Sequence, residues 1–429
     1  AAPAPAPPPA AAAAALPIDA HRDEILKTIR ENRVTIICGE TGCGKSSRLP
    51  LMLLEADKKA KMFVSQPRRI AARSLCDRVR ETKGGEVGLR LGHGERNETK
   101  RTRLWFCTTG YLVRLVASYP GALANHTHLI IDEVHERSVD TEILVLLARR
   151  LVEAHPRLKL VLMSATVCVD LYAGYFDVDV ARAAIHVGAR RYPVDVFYAD
   201  DVAERLRLPR SAAGKLAQET APSTPGRRDK TPNQSTQHKV VAEIVRAVGV
   251  AGSSVLVFVA GMADILELTE KVDALNVTGR ARGLTYVTTP IHSDVPFEDQ
   301  LAVFSGAGAG TVRVILATNA AESGVTIPDC DHVIDLGLAK QIVYNAASHR
   351  SLLSQAWISK SSAVQRAGRT GRVRPGHVYR LYAKERYDAL DAHATSEIHR
   401  CPLDATVLNL MTLSNATDLS AADMLAETV

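Results

Sequence analysis

The sequence predicts an α/β protein made of two tandem domains, each a parallel sheet covered by helices. Two observations carry the expectation: short apolar, β-rich runs alternate with helical patterns from about Leu16 to Gly188, and the alternation resumes after about residue 238. Repeated β–α alternation sets consecutive strands parallel, with helices on both faces. A third observation is the first strand running straight into a glycine-rich loop, a strand–loop–helix unit.

In the first half, "VTIIC" (34–38), "MFVSQ" (62–66), "LWFC" (104–107), "LIID" (129–132) and "LKLVLMS" (158–164) are continuous apolar runs. Strands buried on both faces look like this. Between them, "TEILVLLARRLVEA" (141–154) has a helical pattern. The second half gives "SVLVFV" (254–259), "LTYVTTP" (284–290), "VRVILAT" (312–318), "HVIDL" (332–336) and "HVYRLY" (377–382). The expected division is a linker over 1–15, a first domain over 16–190, a second over 191–385 and the start of a further module over 386–429, where "PLDATVLNLMTL" (402–413) reads as helix. Within the second domain, about 201–238 reads as a mobile polar surface insertion, because "RSAAGKLAQETAPSTPGRRDKTPNQSTQ" has hardly any apolar periodicity.

Composition narrows the class. The 429 residues are 46% hydrophobic and 23% charged, with net charge +6, an ordinary globular balance whose mild basic bias permits a polyanionic partner. Aromatics at 5% are too few for base stacking to be the main binding mode. Seven scattered cysteines without a C-x-x-C pair read as reduced thiols of an intracellular protein, with no choice among cytoplasm, nucleus and organelle. No apolar run reaches the roughly 18 residues of a membrane helix, so no membrane partner is expected. The opening "AAPAPAPPPAAAAAL" reads as low-complexity linker, and without an initiating Met the sequence is expected to be an excerpt.

The glycine-rich loop is "GETGCGKSS": Gly39, Glu40, Thr41, Gly42, Cys43, Gly44, Lys45, Ser46 and Ser47. It completes G-x-x-x-x-G-K-[ST] from Gly39 to Ser46. Glycines let successive backbone N–H groups converge on a phosphate near a helix N-terminus. Lys45 then serves the β and γ phosphates and the Ser46 hydroxyl a Mg²⁺ ion. Converging amides can depress a thiol's pKa, while a small residue at Cys43 is also simply tolerated; both readings stay open.

"LIIDEVHERS" (129–138) presents Asp132, Glu133 and His135 at the end of a strand. With a phosphate loop upstream, Asp132 suits a second-sphere or water-mediated Mg²⁺ partner, and Glu133, counted with Ser46 and Asp132 at the metal, suits the orientation and deprotonation of an attacking water. A rival metal site would use His126, His128, Asp132, Glu133 and His135. Strand spacing places the first two histidines roughly 13 Å or more from the carboxylates, whereas a zinc nitrogen sits ~2 Å from its metal. "SAT" (164–166) ends another strand, and "QRAGRTGR" (365–372) spaces Gln365, Arg369 and Arg372 at i, i+4 and i+7, one face of a helix. Planar donors so arrayed suit a triphosphate; a solvated basic face is the alternative.

At this point the sequence resembles the DEAH/RHA (DExH-box) branch of superfamily 2 RNA helicases over roughly residues 17–413. The likeness rests on the ordered blocks "GETGCGKS", "QPRRIAARSL", "CTTGYLVRL", "DEVHERS", "SAT", "VFVAG", "PIHSDVP", "ATNAAESGVTIP" and "ISKSSAVQRAGRTGR". It implies two RecA-like domains with ATP and Mg²⁺ between them, Gln365, Arg369 and Arg372 facing the phosphate loop. It implies that Arg78 and Phe304 sandwich the adenine, and that His135, with Ser164 and Thr166, couples the site to the opposite domain. Arg69, Thr108, Gly261, Ser293 and Thr318 match positions that hold the RNA backbone. Such contacts position a strand without reading bases. "RNETKRTR" (96–103) is locally basic, as solvated loops often are.

The resemblance further implies an ATP-driven motor moving 3′ to 5′ on single-stranded or partly duplex RNA, with DNA compatible, protein activators, a monomeric core, and a hairpin wedge around "LGLAKQIVYN" (336–345). The competing expectations are a P-loop switch ATPase without a nucleic-acid role and an RNA-binding scaffold with little turnover. Departures from the family pattern are Cys43 within the loop, Pro328 ahead of Asp329 where relatives reach the ribose, and Leu336 where Thr is common. Residues 386–429 would be the start of the family's winged-helix region.

Overall fold

The computed structural model describes residues 16–40, 42–92, 94–165, 169–188, 192–206, 210–222, 232–296, 299–300, 303, 308, 310–322, 327, 330–345, 347–372, 374–414 and 420–429. In the first domain the strands are β1 (Val34–Gly39), β2 (Met62–Gln66), β3 (Val87–Arg90), β4 (Arg96–Asn97), β5 (Leu104–Thr108), β6 (His128–Ile131), β7 (Lys159–Ser164) and β8 (Ala184–Val187). They form one sheet in the order β4-β3-β5-β2-β6-β7-β1-β8. Only the β3–β4 pair is antiparallel.

The second sheet takes β9 (Val194–Phe197), β10 (Ser254–Phe258), β11 (Thr285–Ile291), β12 (Thr311–Ala317), β13 (Cys330–Asp335) and β16 (Gly376–Arg380) in the order β11-β12-β10-β13-β16-β9, all parallel. Between β13 and β16, β14 (Leu338–Asn345) and β15 (Arg350–Trp357) pair as an antiparallel hairpin.

The apolar strands are continuous because both faces are covered. Val34, Ile36 and Cys38 enter one core layer of the first domain while Ile37 enters the other. In the second domain Val255 and Val257 point into one layer, Leu256 and Phe258 into the other. Side chains alternate along a strand, so each β-rich run feeds two cores at once. No helix among the described residues is long and apolar enough to cross a membrane.

The segment about 201–238 departs from the sequence expectation. Helices occupy Ala199–Arg205 and Arg210–Thr220, and a third begins at Gln234. Val202, Leu216 and Thr220 are fully buried. The Thr220 hydroxyl accepts the Ala383 N–H at 2.9 Å, and Arg386 donates to the carbonyls of Thr220 and Ala221. Good helix formers such as Ala, Leu, Lys and Gln fold here with few apolar anchors, too few to register as a periodicity. Residues 223–231 lie outside the described set.

After the second domain the chain crosses back to the first. Helices Asp404–Ser414 and Ala421–Ala426 dock there, and Leu410, Ala421 and Met424 join the core that holds Val113 and Ile143.

Buried charge fixes two further elements. Arg366 is fully buried; its guanidinium donates to Glu322 and to Asp335, each at 2.7 Å, and to the Leu338 carbonyl. This ties the helix Lys360–Ala367 to β13. His238 lies between Asp264 at 3.1 Å and Glu267 at 2.9 Å. Burial alone would depress this imidazole, but Asp264 and Glu267 outweigh it and raise its pKa above 6.5. A raised histidine contributes stability that is complete below its unfolded pKa and is lost as pH rises through the folded one. The melting temperature of the wild type should therefore fall from pH 6 toward pH 8.5 by more than that of His238→Gln; parallel curves would remove His238 from the balance.

Candidate nucleotide site between the two domains

Strand β1 delivers the loop, and its geometry depends on two glycines. Gly42 has φ +93° and Gly44 φ +98°, the left-handed region that side chains disfavour and that turns successive N–H groups to one side. A Cβ on Gly42 would lie 3.3 Å from Nε of Arg372, which comes from the other domain. Glu40 is exposed and Ser47 is buried behind the loop; Thr41 is outside the described residues.

Cys43 corrects one sequence reading. It is 3% exposed, and its Sγ would sit 2.7 Å from a Cβ on Gly39. Burial pushes the thiol pKa up and exceeds the opposing pull of Lys45 and its backbone N–H. The loop amides thus fail to activate this cysteine.

Lys45 opens the helix Lys45–Ala56 and is 3% exposed, with Nζ 3.7 Å from Oε1 of Glu133. Burial alone would lower this ammonium's pKa, yet Glu133 and then Asp132 hold it above the ordinary value. Asp132, 1% exposed, follows β6 and accepts from Gln66 Nε2 at 2.7 Å and from the Glu133 N–H at 2.9 Å, with the Ser46 hydroxyl near enough to favour its charged form. Burial first, and Glu133 second, raise its pKa, opposed by Lys45 and these donors. Ser46 and Asp132 therefore present two hard oxygens at one point, a donor set that fits Mg²⁺.

Glu133 sits at φ +55° and starts a tight turn over Val134–Glu136, which closes at Arg137, φ +48°. The turn aims His135 back under the site. Its ring is 2% exposed, Nδ1 accepts the Ala165 N–H at 3.2 Å, and Nδ1 lies 3.5 Å from Oε2 of Glu133. Burial lowers its pKa against the pull of Glu133 and Glu136, and because Nδ1 accepts a backbone N–H, the proton of the neutral ring belongs on Nε2. Gln365 of the second domain lies on the far side of the cleft, near enough to oppose that lowering, while Nε2 of the ring is sealed from solvent without a hydrogen-bond partner among the described residues. Ser164 ends β7, buried; Thr166 lies outside the described residues.

The arginines reach the site by a different route from the one their spacing suggests. The helix Lys360–Ala367 ends at Gly368, so Arg369 and Arg372 follow it in a turn rather than sharing its face. Gly371, φ +76°, completes the turn, and a Cβ there would strike Val194 at 2.4 Å. Helix-like spacing survives because each arginine caps an open carbonyl four residues back: Arg369 Nε to Gln365 O at 3.4 Å, Arg372 Nε to Gly368 O at 3.2 Å. Arg369 is 2% exposed and also donates to the Glu322 carbonyl. Nη1 of Arg372 is sealed from solvent with no partner among the described residues. Burial and then the repulsion of Arg369 press the Arg372 pKa down to about 9.

Arg78 is exposed on the helix Arg69–Lys83, and its charge also opposes Arg372; Phe304 lies outside the described residues. The five positions matched to backbone contacts lie at or just past the carboxyl ends of β2, β5, β10, β11 and β12. Arg69 is exposed and paired with Glu95 at 2.9 Å. Thr108 caps the helix Thr109–Ser118, and Gly261 caps Met262–Gly279 beneath the Lys340 side chain. Ser293 is exposed and Thr318 is buried. The rival metal reading fails among the described residues, where no metal-holding cluster occurs. His126 stacks on Phe63 at 4.8 Å instead, and burial lowers the pKa of His126 and of His128 to about 4.

Sequence reasoning missed Gln66, Glu322 and Arg366. Gln66 carried a signal: it ends β2, the parallel neighbour of the strand that delivers Asp132. Beyond His135 and Gln365 a cavity of about 850 Å³ opens, lined by Arg68, Arg137, Asn319, Ile342 and Arg400 among others.

Two parallel-sheet domains that close a phosphate loop against arginines define a RecA-like P-loop nucleotide-hydrolase class. A family model described as DEAD/DEAH box helicase matches residues 19–172, and one described as helicase conserved C-terminal domain matches residues 239–374. The DExH-box ATP-dependent RNA helicase DExH1 of Arabidopsis thaliana is 33% identical over 447 residues, covering 93% of this chain and 44% of the relative. ATP-dependent RNA helicase DHX29 of Mus musculus is 34% identical, covering 92% and 33%, and DHX30 of Gallus gallus 32% identical, covering 92% and 31%. The crystal structure of Escherichia coli DEAH/RHA helicase HrpB superposes with a TM-score of 0.75 at 27% identity, covering 92% of this chain and 46% of that one. The chain belongs to the DEAH/RHA, or DExH-box, helicase family. It spans less than half the length of these relatives.

The buried state of Cys43 has a measurable consequence. Iodoacetamide on the native protein should modify the half-exposed Cys401 well before Cys43, read by peptide mass spectrometry over time. Equal rates would mean that the loop opens freely.

Proposed function

We propose that this chain is the motor core of an ATP-dependent RNA helicase, hydrolysing ATP in the inter-domain cleft and moving 3′ to 5′ along single-stranded RNA. The observation that carries the reading is Arg372 of the second domain against Gly42 of the first, with its Nη1 buried and without a partner among the described residues. A guanidinium so placed fits an anion on the loop and ties its binding to closure of the domains.

The chain's own groups divide the chemistry. The loop N–H groups and Lys45 hold the β and γ phosphates. Ser46 and Asp132 would hold Mg²⁺, which supplies neutralisation of phosphate charge. Glu133 orients the attacking water and takes its proton. Arg369 and Arg372 offset charge that develops on the transferred phosphoryl group. His135, whose unpartnered Nε2 lies near Gln365, reports the state of the site to the second domain. The adenine would sit near Arg78, where stacking accepts any base.

For RNA, the reading places the backbone along Arg69, Thr108, Gly261, Ser293 and Thr318, each at or just past the carboxyl end of a parallel strand, with the hairpin β14–β15 as the wedge. Contacts of this kind give little sequence preference, steep salt dependence and tolerance of DNA. Unwinding would engage partly duplex RNA, and protein activators would act on the closure equilibrium.

Steady-state ATPase with and without single-stranded RNA tests the reading. Stimulation by RNA is expected, abolished in Glu133→Gln, while Arg372→Ala should lower kcat by about 10³-fold or more. Equal rates with and without RNA would leave a nucleotide switch, and RNA binding without turnover a scaffold.

A further inference from the structure

Residues 391–400, just beyond the second domain, touch three parts of the motor within ten residues. At the start of the helix leading to Arg369 and Arg372, the N–H groups of Lys360 and Ser361 donate to the carbonyls of Asp391 at 2.8 Å and Ala392 at 3.1 Å. At the exit of the Glu133 turn, the Arg137 carbonyl accepts the Glu397 N–H at 3.2 Å and the Ser396 hydroxyl at 3.4 Å. The Glu397 carboxylate accepts the Val139 N–H at 3.1 Å. On the hairpin, the Tyr344 N–H donates to the Arg400 carbonyl at 2.8 Å, and Arg400 donates to the Ile342 carbonyl at 3.3 Å.

The turn that carries Glu133 needs such support. Glu133 and Arg137, both non-glycine, bracket it at φ +55° and +48°. Left-handed residues persist only where the surroundings over-determine them. At Arg137 the determinants are the two bonds to its carbonyl and its own pairing with Glu142, a carboxylate 1% exposed and 2.6 Å away. Glu397 adds a carboxylate at the first turn of the helix Val139–Ala154, where orphan N–H groups and the helix dipole favour an anion.

We propose that residues 391–397 form a strap across the cleft, and that Glu397 is a positioning residue which holds the Glu133 turn in place at its exit, its N–H on the Arg137 carbonyl and its carboxylate on the Val139 N–H. From Ala392 to Glu397 the chain covers five peptide steps, so its two attachment points stay within roughly 18 Å while both sets of bonds hold. The strap thus limits how far the arginine turn withdraws from the loop and passes any displacement of the following helices to the catalytic turn. The proposal rests on the ATPase reading above.

The test compares wild type, Glu397→Ala, Glu397→Gln and an insertion of two glycines after His393, all in the complete 429-residue chain. Glu397→Ala should lower kcat for ATP about tenfold, because small misplacements of a catalytic group cost that much. KM should stay within about twofold, since the phosphate loop is untouched. Glu397→Gln should recover most of the rate, its amide oxygen still accepting from Val139. The insertion should lower kcat although Glu397 remains, and should raise the radius of gyration of the nucleotide-free chain in small-angle scattering. A Glu397→Ala rate equal to wild type, or a Gln variant as slow as Ala with KM rising in step, would overturn the positioning role. Unchanged scattering on insertion would overturn the strap. A wild type without ATPase would sink the ATPase reading alone, leaving the scattering to decide the strap.

Discussion

Three cations with buried heads face the cleft of this protein, and two buried carboxylates stand among them. Lys45 comes from the first domain, Arg369 and Arg372 from the second, and Asp132 and Glu133 are the nearby acids. Like charges a few ångströms apart repel by about 4 kcal/mol at an effective dielectric near 20. The pKa of Arg372 is depressed by burial first and by the neighbouring Arg369 second. A cleft with this balance is incomplete as a protein core and well matched to a polyphosphate.

Holding such charges together requires rigid support from each side. In the first domain the parallel register of β1, β6 and β7 sets the loop, the Asp132–Glu133 pair and Ser164 side by side. In the second, Arg366 does the equivalent work without facing the site, since its bonds to Glu322 and Asp335 seat the helix from which Arg369 and Arg372 emerge. Removing one partner of a fully buried ion pair costs about 3–5 kcal/mol, because the other charge stays behind. The chain then leaves the helix at Gly368 and turns at Gly371, and the two arginines lie within that turn.

How much of this the sequence displays follows from how far apart the cooperating residues lie. The loop is legible because its signal is contiguous and its glycines serve backbone angles that only glycine adopts cheaply. Asp132 and Glu133 are legible because a fully apolar strand ends on them. The spacing of Gln365, Arg369 and Arg372 points to the right residues for a partly wrong reason: the helix stops at Gly368, and carbonyl capping imitates its periodicity. The residues that sequence reasoning passed over, Gln66, Arg366 and Glu397, work through partners 31 to 258 positions away. No local pattern encodes such pairings. The helix Arg210–Thr220 escaped for another reason, since one deeply buried Leu216 anchors it without a repeat. The environment of Cys43 was likewise invisible, because the packing that buries its thiol is tertiary.

The charges of the cleft and the strap act on one coordinate, the separation of the domains. Lys45 repels Arg369 across the cleft while Glu133 attracts both arginines, and an anion between the cations favours closure. If only these terms operated, loss of that anion would let the arginine turn drift away and the catalytic turn relax. The short run from Ala392 to Glu397 restrains the second event as well as the first, because its two ends grip the arginine helix and the Glu133 turn directly. Opening then becomes a bounded movement about fixed hydrogen bonds, and the hairpin, tied to Arg400 in the same stretch, moves with it. On the proposed reading, the change of charge in the cleft reaches the RNA-facing hairpin by this path, without any contact between nucleotide and RNA.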